Sequence, residues 1–152
     1  MFPQNSTSIT DSTQTEKNKI ISDTLCYTPN YNYDNYSSVV KNGSIELIKD
    51  YRNIKNWFIK FIFTPIDTLK IYEGTGFGTS LSKLRGQKTV NCLELVQIKK
   101  EIQDGAKLNP AIKEVTSIKL YKIDSNLIIT INAELIDGIT WTDEIEVVKF
   151  YD

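Results

Sequence analysis

Leu127-Ile128-Ile129-Thr130-Ile131-Asn132-Ala133-Glu134-Leu135 carries the plainest pattern in this chain. Leu127, Ile129, Ile131, Ala133 and Leu135 alternate with Ile128, Thr130, Asn132 and Glu134. A period of two means a strand with one apolar face turned to a core and one polar face turned outward. Residues 114–123 upstream are strand-like too, and Asp124-Ser125-Asn126 supplies the turn between them. Downstream, Asp137-Gly138 marks a second turn. A last strand is predicted over Asp143, Glu144, Ile145, Glu146, Val147, Val148, Lys149 and Phe150. The end of the chain therefore reads as a three-stranded antiparallel meander.

Such a sheet needs helices to cover its apolar face, and the period changes accordingly further upstream. Tyr51, Ile54, Trp57, Phe58, Phe61 and Ile62 recur at steps of three and four, while Arg52, Lys55, Asn56 and Lys60 lie away from them. The spacing predicts a helix over 51–63, capped by Asp50 and ended at Thr64-Pro65, because the residue before proline is pushed out of the α region. Burial of those apolar side chains contributes about 9–18 kcal/mol before conformational entropy is set against it. A second helix is predicted over 90–108, with Thr89 as cap, Leu93, Leu95, Val96, Ile98, Ile102 and Ala106 as its stripe, and Asn109-Pro110 as its end. Between the helices, Gly74-Thr75-Gly76-Phe77-Gly78 reads as tight turns, followed by a short helical stretch over 80–84 that ends at Gly86.

Lys41-Asn42-Gly43 lies between two short strand-like runs, and Asn-Gly is the strongest short hairpin signal because both residues tolerate a positive φ. Residues 20–36 are rich in Asn and Tyr. Tyr27, Tyr31, Tyr33 and Tyr36 suit an arm laid on another surface, an apolar ring with a polar end, and equally a loop over the chain's own core. Residues 1–19 are too polar to offset their ordering entropy and read as a flexible tail. The expected class is α+β: an antiparallel sheet built from the C-terminal meander plus the N-terminal hairpin, with two main helices on one face, occupying 37–152.

Composition narrows the chemistry. The chain has 152 residues, 40% of them hydrophobic, enough for one domain rather than two full ones. Lys and Arg number 18 against 19 Asp and Glu, so the net charge is −1, which argues against binding nucleic acid through a general positive excess. Histidine is absent, which removes the commonest general base and metal ligand. Cys26 and Cys92 are far apart and form no zinc motif; two reduced thiols in a cytoplasmically made protein are expected. The N-terminus has no apolar signal region, and the apolar run at 57–63, interrupted by Lys60, falls far short of a membrane span.

Catalytic patterns are not found. The glycine run lacks both the GxGxxG spacing and the Gly-Lys-Ser/Thr ending that cradle phosphates. Glu94, Glu101 and Asp104 alternate with Lys99, Lys100 and Lys107 as on a solvated helix face. Glu73 beside the glycine run is the one acid in a cleft-forming position, and glycoside hydrolysis needs two. No catalytic residue, cofactor, metal or small-molecule substrate is expected. The surfaces that stand out are the tyrosine-rich segment and the last strand. If that strand lies at a sheet edge it invites pairing, unless Asp143, Glu144, Glu146 and Lys149 blunt it.

The series from residue 36 to 150 resembles the baseplate wedge family of contractile phage tails, which includes the sheath initiators of related injection machines. The pieces are the helix at 51–63 ending in Thr64, then Ile71-Tyr72-Glu73-Gly74-Thr75-Gly76-Phe77-Gly78, Leu81 and Leu84-Arg85-Gly86. They continue through the helix at 93–108, Asn109-Pro110-Ala111-Ile112-Lys113-Glu114-Val115 and the strands around 127–135. The hairpin over 39–48 is similar to the lead-in of the Gram-positive phage branch. The resemblance implies a virion subunit, assembled in the host cytoplasm, that contacts other wedge proteins, the tail sheath and, further in, the tail tube or hub. It places wedge contacts at Asn109, Pro110 and Ala111, where family members carry Glu-Pro-Arg, and sheath-strand pairing on 143–150. The family has also been labelled lysozyme-like, which makes a tail-associated peptidoglycan hydrolase the rival reading.

Overall fold

The alternation at the end of the chain is expressed as a three-stranded antiparallel sheet in the computed structural model, which describes residues 27–32, 35, 37–84, 91–124 and 126–147. The described residues divide between Asn53 and Ile54 into two compact units, and the fold is α+β with antiparallel sheets. In the first unit lie six short strands: β1 (Thr28–Pro29), β2 (Tyr31–Asn32), β3 (Ser37–Ser38), β4 (Val40–Lys41), β5 (Ser44–Ile45) and β6 (Leu47–Ile48). Helix α1 (Arg52–Phe63) follows, then two 3-10 turns at Lys70–Tyr72 and Ser80–Leu84, helix α2 (Cys92–Ala106), and β7 (Ile112–Ile123), β8 (Asn126–Leu135) and β9 (Thr140–Val147).

In the second unit β8 lies between β7 and β9. Cross-strand partners share a face, so Ile118 and Leu120 of β7 join Leu127, Ile129, Ile131, Ala133 and Leu135, and these join Trp141, Ile145 and Val147 of β9. The β8 residues of that set are all buried and the intervening ones are not, as the period of two requires. β9 begins at Thr140, earlier than the predicted Asp143. The Leu135 N–H bonds the Ile139 carbonyl at 2.9 Å across the turn at Gly138 (φ 82°), so pairing resumes at once. The predicted members Val148, Lys149 and Phe150 lie outside the described residues.

α1 starts where its cap predicts: the Arg52 N–H donates to Asp50 Oδ1 at 2.9 Å. Ile54, Phe58, Phe61 and Ile62 are almost wholly buried. Asn56, expected to face away, is buried as well. The reason is that α1 is covered from several directions. Phe58 stacks on Trp141 (5.4 Å between centroids) and Lys55 pairs with Asp143 (2.7 Å). Trp57 and Phe61 meet Phe77 of the glycine loop at 5.9 and 5.1 Å.

The glycine run serves that packing. Gly74, Gly76 and Gly78 all have positive φ, and a Cβ on Gly78 would stand 2.7 Å from the Thr64 carbonyl oxygen. The loop can therefore return beside the end of α1, where Thr79 Oγ1 donates to the Ile62 carbonyl at 2.7 Å. α2 departs from its prediction at both ends. Its cap is Asn91, not Thr89, and a reciprocal capping box joins Asn91 to Glu94; Thr89, Val90 and the predicted stop at Gly86 lie outside the described residues. Of its expected stripe, Ile98, Ile102 and Ala106 are buried, whereas Leu93 and Val96 are exposed because the core contacts begin one turn later.

The first unit holds more pairing than the predicted hairpin. Asn42 (φ 51°) and Gly43 (φ 77°) make the expected turn, but only β4 and β5 pair across it. β3 pairs with β2, and β6 with β1. At the junction the Asn30 N–H donates to the Glu46 carbonyl (2.7 Å), Glu46 to Val39 (2.8 Å) and Val39 to Asn30 (2.8 Å), a closed ring of three backbone bonds. Among the described residues none of these ladders is hydrogen-bonded to β7, β8 or β9, so the predicted single sheet of hairpin and meander is not formed.

Candidate interaction surfaces

Among the described residues β9 is an outer strand of its sheet, and its outward edge follows from ladder geometry. The Leu135 N–H donates to the Ile139 carbonyl, opposite it in the β8–β9 register, and along an antiparallel ladder bonded positions alternate with non-bonded ones. Trp141, Asp143, Ile145 and Val147 therefore turn their backbone groups toward β8. Thr140, Thr142, Glu144 and Glu146 turn theirs away, to the edge. The same count from the Ile123–Asn126 end assigns the alternate residues of β8 to β7, so the two ladders agree.

This edge is anchored from beneath and partly closed. Trp141 is stacked on Phe58, and Asp143 Oδ1 accepts from Lys55 Nζ at 2.7 Å. The same oxygen accepts the Glu144 N–H at 2.8 Å, so one edge donor is already occupied by a neighbouring side chain. The outer face of the sheet is polar and self-paired. Glu144 Oε1 accepts from the Tyr121 hydroxyl (3.0 Å) and from Thr130 Oγ1 (3.2 Å), and Lys113 pairs with Glu134 at 2.7 Å. The Glu134 carboxylate beside it holds the Lys113 ammonium above its ordinary range.

The other predicted contacts fare unequally. Asn109 and Ala111 are buried (8% and 2% exposed), and Asn109 Oδ1 accepts the Ala111 N–H at 3.0 Å, so both shape the turn between α2 and β7. Pro110 is exposed. Beside the turn is a shallow groove of about 260 Å³ lined by Gln103, Asp104, Ala106, Lys107, Ile112, Lys113, Glu114 and Val115. Its Lys107 already pairs with Asp104, whose carboxyl that ammonium holds below its ordinary range. Tyr27 is exposed just before β1, with Lys49 over its ring at 4.9 Å, and Tyr31 is half-buried in β2. Tyr33, Tyr36, Cys26 and the tail at 1–19 lie outside the described residues.

Lys55 and Glu101, expected on solvated helix faces, instead make tertiary bonds that hold these surfaces in place. The helical spacing turns Lys55 away from the apolar stripe, and nothing local ties it to Asp143, 88 residues on. Glu101 Oε2 accepts from the Ser80 N–H (2.7 Å) and hydroxyl (2.9 Å), fastening the second 3-10 turn to α2. Asn91 was findable, since Asn-x-x-Glu is a capping signature. Glu73 is exposed at the end of the first 3-10 turn. Among the described residues no group of three or more His, Cys, Asp or Glu side chains could hold a metal ion. No helix among them is long and apolar enough to cross a membrane.

No protein-family model matches this chain, and no curated protein matches it.

Proposed function

We propose that this chain is a structural subunit of a contractile-tail baseplate wedge, which docks on other wedge proteins and receives a strand of the first sheath ring on β9. The ordered series of residues that resembles the wedge family motivates the reading. The observation that carries it is the β9 edge, where Thr140, Thr142 and Glu146 aim backbone groups outward while Trp141 and Asp143 are locked onto α1. An edge held rigid by its inner face costs little to order when a strand is added, which is what a template requires.

Removing the strand would be a poor test, because Trp141, Ile145 and Val147 belong to the core. Thr142→Pro is the better one. It deletes an outward N–H, leaves the bonds to β8 in place, and proline is tolerated on edge strands. With the chain co-produced alongside neighbouring tube, wedge and sheath proteins, Thr142→Pro should leave baseplates intact in electron micrographs but bare of sheath. Normal sheath on the variant would refute strand reception. Cleared cell wall in a zymogram of the purified chain, lost on Glu73→Gln, would replace the structural reading with the hydrolase.

A further inference from the structure

We propose that Asp143 guards the β9 edge, preventing two copies of this chain from joining β9 to β9. The inference shares with the function proposed above only the outward-facing edge, and it is tested on the purified chain alone.

The argument is one of register. An antiparallel pair of edges can bond only through residues whose backbone groups face outward, here Thr140, Thr142, Glu144 and Glu146. A two-fold axis at Asp143 engages all four, setting Thr142 against Glu144 of the second copy and Thr140 against its Glu146. Neither pair brings like charges together, and Trp141 meets Ile145 on the apolar face. Moving the axis to Glu144 sets Glu144 against itself, and moving it to Thr142 shortens the ladder. The favoured register thus has one obstacle, Asp143, which would stand directly opposite its own copy, where like charges repel. Asp143 acts a second way. Its Oδ1 already holds the Glu144 N–H at 2.8 Å, a donor the central bonds of that register need. The Lys55 ammonium, 2.7 Å from the same oxygen, fixes the carboxylate in that place. Charged residues at edges are a known device against such pairing; here the device also occupies the backbone.

The test is sedimentation velocity on the full chain, 17.4 kDa as a monomer. The unaltered chain should sediment as a monomer, and Asp143→Val, a strand-forming residue, should double the mass. Adding Thr142→Pro to Asp143→Val should restore the monomer. A folded Asp143→Val that stays monomeric overturns the proposal, as does a dimer that survives Thr142→Pro or an unaltered chain already paired through β9. Should the valine variant not fold, amide exchange on the unaltered chain decides. The Glu144 amide should exchange several-fold more slowly than that of Thr142, and equal rates overturn the guard.

Discussion

Gly105 lies inside α2, where a helix ordinarily prefers alanine by about 0.8–1 kcal/mol. Gly105→Ala should nevertheless destabilise the protein. A Cβ built there falls 1.9 Å from Phe61 Cζ, 2.3 Å from Cε2 and 2.8 Å from Cε1. Ordinary contact needs at least 3.4 Å, so the ring must retreat by roughly 1.5 Å through a close-packed interior. It has nowhere to go: Phe61 is 0% exposed, stacked on Trp57 at 5.2 Å and met edge-on by Phe77 at 5.1 Å. Overpacking of this kind costs about 1–3 kcal/mol or more, and the overlap argues for the upper end. After the helix gain is subtracted, a net loss of about 2 kcal/mol is expected. Urea unfolding followed by tryptophan fluorescence measures it. In a Phe61→Leu background the ring is gone, and the same Gly105→Ala change should turn stabilising by up to about 1 kcal/mol. If Gly105→Ala stabilises the chain with Phe61 present, the close approach of the two helices is wrong.

Two further predictions concern local electrostatics and capping. Asn91→Ala removes the acceptor for the Leu93 N–H and half of the capping box, and should cost about 1 kcal/mol in the same unfolding assay. Glu46 is held below its ordinary value of 4.5 by hydrogen bonds from Lys41 and then Asn30. A depressed folded-state pKa contributes stability that is present above the unfolded value and is lost as pH falls through the folded one. The chain should therefore weaken on acidification below about pH 4.5, and Glu46→Gln should flatten that part of a stability–pH profile. An unchanged profile in the variant would remove Glu46 from the cause.

What could be read along the chain was whatever neighbours in sequence enforce on one another. The alternation at 127–135, the Asn42-Gly43 turn, the Asp50 cap and the stop at Thr64-Pro65 all follow from backbone sterics and a repeat of two or 3.6 residues, and each recurs in the structure. The α+β class came from those local rules alone. Tertiary packing decided the rest. It buried Asn109 and Ala111 in their own turn, drew Phe77 across the glycine loop onto α1, and made Gly105 a seat for Phe61. It also placed Lys55 on Asp143, and joined Asn30, Val39 and Glu46 in a ring of backbone bonds. Apart from the Asn109–Ala111 turn, these contacts link residues that are not neighbours in sequence, and no periodicity encodes them. They form because filling volume and satisfying polar groups in a close-packed interior are conditions on the assembled chain, not on any one segment of it.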